Sequence, residues 1–275
     1  MKLFDDVAEH TSNMQGKFFG PVIEPKGEEA FLTEKMYELV RDGKYIKVPL
    51  MIGFTSEECI EYYKDANGTK RAMEDYDTHL GWLVPADMEI TDEANLTRMG
   101  RLIRDIYTNG ESFSKHLGDG IRFCSDNLLK RPIMKHAEFN SKYAKTYLYV
   151  FSYDGKVGNI NVELDGADSV GHGEEIKYLL CSGSNCDLSN YTKSDQITQE
   201  RLIKLWTNFA KYGNPTPEPS KLLQNVNWPQ ISTNNGNFLH VDIGENMEIR
   251  NHPLKTYSKW NELYDSLGYD DFVTY

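Results

Sequence analysis

The order of segments predicts an α/β protein, with a mostly parallel central sheet flanked by helices. Three observations carry that expectation. Leu50-Met51-Ile52-Gly53-Phe54 is an almost unbroken apolar run without alternation, which is how a strand covered on both faces reads. A second strand signal, rich in β-branched and aromatic residues, spans residues 145–153 and stops at Asp154-Gly155. Helix-period stretches separate and follow these strands, and no repeat or low-complexity segment interrupts them.

Taken in order, residues 18–25 read as an extended entry segment and residues 31–42 as a short helix closed by Gly43. The first strand runs out into Ser56-Glu57-Glu58-Cys59, so both glutamates sit where a buried strand gives way to a loop or helix. Residues 71–87 and 93–107 have helical spacing, and in the second stretch Leu96, Met99, Leu102, Ile103 and Ile106 form one face. A third stretch, 121–143, contains Pro132, which predicts a kink or two pieces because proline lacks the N–H and clashes with the preceding turn. The loop bearing His172 follows the second strand. Residues 197–212 read as an amphipathic helix stopped by Gly213-Asn214-Pro215. Two short strands around Gly244 and a last helix over 254–267 complete the chain.

The 275 residues allow one large or two small domains and a substantial core. With 30 Lys+Arg against 42 Asp+Glu the net charge is −12, and no basic run appears, so a phosphate backbone is not an expected partner. Aromatics at 12% argue for a packed interior, where the Tyr and Trp residues are expected. No apolar run reaches the length needed to cross a membrane, and Asp5 and Asp6 interrupt any signal-peptide core, while the compartment stays open. Four cysteines are too few for a disulfide scaffold; Cys181 and Cys186 bracket a short loop and either pair or remain free thiols. Asn67, Asn95 and Asn190 begin Asn-x-Ser/Thr triplets, which hint at a secreted ancestry.

The chemistry concentrates in Gly171-His172-Gly173-Glu174-Glu175, where a glycine on each side frees the backbone to present the ring from a loop after a strand. A carboxylate at one strand end and a histidine after a later strand are two parts of a Ser-His-acid machine. Glu58 precedes His172 by 114 residues, so acid comes before histidine, the order used by α/β-hydrolases. His10, His79, His116, His136, His240 and His252 show no metal-ligand spacing, and Cys181 and Cys186 lack the further ligands of a closed zinc site. No Gly-rich phosphate loop or dinucleotide fingerprint occurs. No metal or cofactor is expected.

These segments resemble the type-B carboxylesterase and cholinesterase-like family, with an insect-type esterase flavour. Val48-Pro49-Leu50-Met51-Ile52-Gly53-Phe54-Thr55-Ser56-Glu57-Glu58 is similar to its acid-bearing strand, and Gly171-His172-Gly173-Glu174-Glu175-Ile176 to its histidine loop. The likeness extends through Phe19-Gly20-Pro21-Val22-Ile23, the stretch from Trp206 to Pro215, Trp228-Pro229, Leu239-His240-Val241-Asp242 and Lys259-Trp260-Asn261-Glu262-Leu263-Tyr264. The resemblance implies an α/β-hydrolase fold over residues 1–275, a small-molecule carboxylic ester as substrate, His172 as general base and Glu58, rather than Glu57, as its orienting acid. It also implies a supporting role for Glu175. Cys59 stands where that pattern has glycine.

No Gly-x-Ser-x-Gly elbow and no upstream Gly-rich oxyanion loop occur in these residues. Ser169, in Ala167-Asp168-Ser169-Val170-Gly171, mimics an elbow but lacks the strand-to-helix setting. By resemblance the sequence corresponds to the C-terminal half of the family fold. Two expectations follow: an ester hydrolase whose nucleophile lies in a missing N-terminal half, or a non-catalytic adhesion or binding relative. The first strand is then expected to have an unpaired apolar edge.

Overall fold

The computed structural model describes residues 22–63, 65–158, 160, 162–180, 187–231 and 238–267. Helix α1 (Met36–Arg41) precedes β1 (Leu50–Thr55), and α2 (Ala66–Thr78), α3 (Glu93–Thr108), α4 (Leu117–Ser125) and α5 (Arg131–Ser141) lead to β2 (Thr146–Phe151). Then come α6 (Glu174–Leu179), α7 (Lys193–Tyr212), the β3–β4 hairpin (His240–Ile243 and Met247–Arg250) and α8 (Tyr257–Asp265). The sheet order is β1-β2-β3-β4. Its first two pairings are parallel and the last is antiparallel, so the α/β expectation holds.

The lack of alternation in the strands has a direct cause. Tyr147, Tyr149 and Phe151 of β2, with Val241 and Ile243 of β3, pack on Leu202 and Leu205 of α7 and on Tyr178 of α6. Leu148, with Phe54 of β1 and partly buried Ile52 and Val150, packs on Met134 and Ala137 of α5 and on Tyr257 of α8. Both faces are covered, so successive residues are all apolar. Gly53 is the exception that makes room: a Cβ there would lie 2.4 Å from the Tyr149 ring. A third cluster, beyond the sheet, joins Ile60, Met73, Ile103, Phe123 and Trp260 across α2, α3, α4 and α8.

Several boundaries differ from the sequence expectation. The first helix is regular only from Met36, and the stretch after α2 continues as 3₁₀ turns at Leu80–Leu83 and Ala86–Met88. On α3, Met99 and Ile103 are buried and Leu96 and Ile106 partly so, while Leu102, at the margin of the stripe, is 40% exposed. The stretch falls into two α-helical pieces, with Pro132 at the start of the second. A π-helical turn, Asp126–Lys130, joins α4 to α5 with right-handed backbone throughout, and proline falls in the first turn of α5. A missing N–H is absorbed there by widening the turn. The stop after α7 is as expected: Gly213 takes φ 61° and its N–H donates to the Phe209 carbonyl.

The structure shows a cysteine pair that the sequence reading did not propose. Cys59 and Cys124 form a disulfide at a sequence separation of 65, both buried, whereas Cys181 and Cys186 lie outside the described residues. Closing a loop of that length stabilises the chain by about 4 kcal/mol in the chain-entropy account.

The two sheet edges contrast. Strand β4 is short, and its outward residues include Glu248 and Arg250, charges that discourage further pairing. Strand β1 pairs only with β2 among the described residues, and Leu50, Met51 and Ile52 stay half-buried, with Ile46 and Val48 exposed just before them. That edge is apolar and unpaired. The 275-residue chain expressed by itself is therefore expected to self-associate in size-exclusion chromatography with light scattering. A monodisperse monomer with one sharp thermal transition would contradict this.

Candidate active site

The parallel register sets Thr55 opposite Phe151, so β1 and β2 end level and their continuations leave from the same end of the sheet. The Ser56 N–H still donates to the Phe151 carbonyl, at 2.9 Å. One residue later the Glu57 N–H donates to the Val170 carbonyl, at 2.8 Å, and this ties the turn after β1 to the loop that carries His172. The C-terminal ends of parallel strands are where open α/β sheets place their working groups.

The structure brings Glu58 and His172 together. His172 Nδ1 lies 2.7 Å from Glu58 Oε2, and Glu58 Oε1 accepts the Thr55 N–H at 2.8 Å. A carboxylate oxygen accepts, so Nδ1 carries the proton and Nε2 keeps a lone pair. The acid side chain is 5% exposed and the imidazole 51%, which leaves the acid dry and the base open to an incoming group. No hydrogen bond to Nε2 occurs among the described residues, and Ser169 makes none with His172.

Two glycines frame the histidine for different reasons. Gly173 caps α6 with φ 75°, a left-handed conformation that a side chain would strain. Gly171 is needed for space: a Cβ there would lie 2.6 Å from Ile160 and 2.9 Å from Ile60. The loop is accordingly packed rather than loose. Its N–H donates to Glu174 Oε1 at 2.7 Å.

Glu57, for which the sequence offered only a position at the strand end, is fully buried and organises the turn. Its Oε1 accepts the Ser125 hydroxyl at 2.6 Å and its Oε2 the Asp168 N–H at 3.3 Å. Burial pushes its carboxyl up, opposed by Lys130 Nζ at 3.8 Å, the Ser125 hydrogen bond and Arg122 at 3.7 Å. Glu175, the residue three past the histidine, is raised by burial and by the neighbouring Glu58 charge, and its Oε2 is buried without a hydrogen-bond partner. Ser125 could not be found from sequence, since it lies 68 residues from Glu57 within a helix.

The remaining histidines are elsewhere. His79 bonds the Asp75 carbonyl and stacks on Trp82, His116 pairs with Glu111, and burial lowers the pKa of His136 and His240. His10 lies outside the described residues, among which no metal-binding cluster of His, Cys, Asp or Glu occurs. No described helix is long and apolar enough to cross a membrane.

A sequence model of the carboxylesterase family matches residues 1–259. The chain belongs to the carboxylesterase family. Juvenile hormone esterase of Heliothis virescens is 25% identical over 79% of this carboxylesterase chain and 38% of its own. Para-nitrobenzyl esterase of Bacillus subtilis is 24% identical over 91% of this chain and 44% of its own. The crystal structure of juvenile hormone esterase from Manduca sexta, with OTFP covalently attached, superposes with a TM-score of 0.69 at 21% identity, covering 90% of this chain and 47% of that one. The fold is that of the α/β-hydrolases. The chain spans less than half the length of each of these relatives.

Glu174 offers a direct test of the loop's electrostatics. Burial raises its pKa to about 7, opposed by the Gly171 N–H and by Lys177, and assisted by Asp154 and Glu175. Unfolded, the carboxyl titrates near its ordinary value of 4.5, so between pH 4.5 and 7 the folded state holds the extra proton. Its contribution to stability is present below pH 4.5 and is lost as pH rises to about 7. Urea unfolding across that range should show a shallower decline in Glu174→Gln than in the parent chain. Parallel curves would show that Glu174 is ionised throughout.

Proposed function

We propose that this carboxylesterase chain supplies the base and the acid of a serine ester hydrolase, with His172 as general base and Glu58 as the residue that orients it. The observation that carries this reading is the 2.7 Å contact from His172 Nδ1 to a buried Glu58, with half of the imidazole side chain exposed. Family membership and the esterase relatives support ester hydrolysis as the chemistry. The substrate class in this reading is a small carboxylic ester, and the geometry of His172 and Glu58 supports the roles given to them.

In this reading Nε2 removes the proton of a serine hydroxyl as its oxygen attacks the ester carbonyl. The imidazolium that forms is stabilised by Glu58 through Nδ1–H, and returns the proton to the departing alcohol. Water then takes the serine's part against the acyl-enzyme, activated by the same nitrogen. Glu58 gains its effect by fixing the tautomer: without the acceptor, Nδ1 has no reason to hold the proton. No Gly-x-Ser-x-Gly elbow occurs in these 275 residues, and in this reading none of them supplies the nucleophile.

The test joins the chain to a carboxylesterase segment bearing such an elbow, with p-nitrophenyl acetate as substrate. Glu58→Gln should lower kcat by about four orders of magnitude, as loss of the orienting carboxylate does in serine hydrolases, with little change in KM. His172→Ala should cost at least as much. Turnover within tenfold of the parent in either variant would remove that residue from its assigned role.

A further inference from the structure

We propose that the Cys59–Cys124 disulfide, acting with Ser125, is a positioning device for Glu58: it clamps the turn carrying the acid to the end of α4 and so holds Glu58 against His172. The inference rests on the reading of Glu58 and His172 as a working pair. Neither cysteine touches the reacting atoms, and both act through the backbone.

The argument starts from how many segments one carboxylate must serve. Glu58 reaches Thr55 N–H on its own strand at 2.8 Å and His172 Nδ1 on another loop at 2.7 Å. A shift of about 1 Å takes either contact beyond hydrogen-bonding range. Strand pairing fixes the backbone only as far as Ser56, whose N–H donates to Phe151. Beyond that point Glu57 is tied to the histidine loop through the Val170 carbonyl and the Asp168 N–H, Lys130 Nζ donates to the Ser56 carbonyl, and a further set of anchors comes from the end of α4. Cys59, directly after Glu58, is bonded covalently to Cys124, while its N–H donates to the hydroxyl of the next residue, Ser125, at 3.0 Å. The same hydroxyl donates to Glu57 Oε1 at 2.6 Å. One helix end therefore grips the residues on both sides of Glu58.

The replacement of glycine at position 59 fits this arrangement. Cys59 has φ −94° and ψ 0°, a right-handed conformation open to any side chain, so the turn does not need glycine and can carry a cross-link instead. Glu57 is a fully buried carboxylate whose ionisation burial opposes, so its hydrogen bonds weaken with its charge. The sulfur–sulfur bond keeps its hold in either protonation state. Both cysteines are buried, at 0% and 2% exposure, within the cluster that links α4 to Ile60 and Met73.

The test uses the chain labelled uniformly with ¹⁵N and reads the far-downfield proton of the Nδ1–H to Glu58 hydrogen bond. The disulfide-bonded parent should show it, and Glu58→Gln should abolish it. The double variant Cys59→Ala/Cys124→Ala, which leaves no stray thiol, should lose or broaden that signal while the amides of β2 and β3 stay dispersed. An unchanged signal in a folded double variant would overturn the positioning role and leave the pair intact. Absence of the signal in the parent, with Glu58→Gln indistinguishable from it, would instead overturn the pair. If circular dichroism shows that the double variant has lost its fold, Ser125→Ala decides. With the disulfide kept, amide exchange at Thr55 should quicken about tenfold relative to Tyr149 and Val241; equal rates would overturn the clamp.

Discussion

The parallel pairing of β1 with β2 is the constraint on which the rest of the structure depends. Six consecutive residues are in register, from Leu50 opposite Thr146 to Thr55 opposite Phe151, and that register brings two segments more than a hundred positions apart to one end of the sheet. Every later contact in the candidate site inherits this alignment. The Glu57 N–H finds the Val170 carbonyl because the strands end level, and Glu58 finds His172 because Glu57 has been fixed one residue earlier. A slip of one residue would turn Phe54 away from α5 and swing the acid to the other side of the turn. Packing on both faces is what forbids that slip.

Around the pair, carboxylates are sorted by environment. Glu57, Glu174 and Glu175 are all pushed up, chiefly by burial, and each faces different compensation: Lys130, Arg122 and a serine hydroxyl for Glu57, the Gly171 N–H and Lys177 for Glu174, and its own backbone N–H with His172 for Glu175. Glu58 is buried as well but meets two donors, Thr55 N–H and His172 Nδ1–H. Glu175 is pressed towards neutrality first by burial and then by the neighbouring Glu58 charge. Of these carboxyl groups it is Glu58 that contacts the imidazole.

Much of this was legible in the sequence, for reasons that can be stated residue by residue. Leu50 to Phe54 read as a covered strand because Phe54 and Ile52 pack towards α5 on one face and Met51 towards α7 on the other. His172 and Glu58 stood out because glycines and strand ends are local signals, and a family resemblance fixed which glutamate to choose. What stayed hidden depends on long-range placement. Nothing local distinguishes Ser125 from other helical serines, or Cys124 as the partner of Cys59, since both acquire their roles when α4 packs under the turn. Pro132 signalled a division into two α-helical pieces, but not the π turn that joins them. Leu102 marks the limit of periodicity, because a stripe has margins and the sequence does not say how far the neighbouring helix reaches.

The pair is assembled before any third group is present. Glu58 has its donors, the His172 tautomer has its acceptor, and the loop between them is packed at Gly171 and capped at Gly173, all from residues within this chain. The contact between Glu58 and His172 is thus set by folding, and the proposed roles of the two residues rest on that arrangement. The β1 turn closes the Nδ1 side of the ring, while half of the imidazole stays exposed.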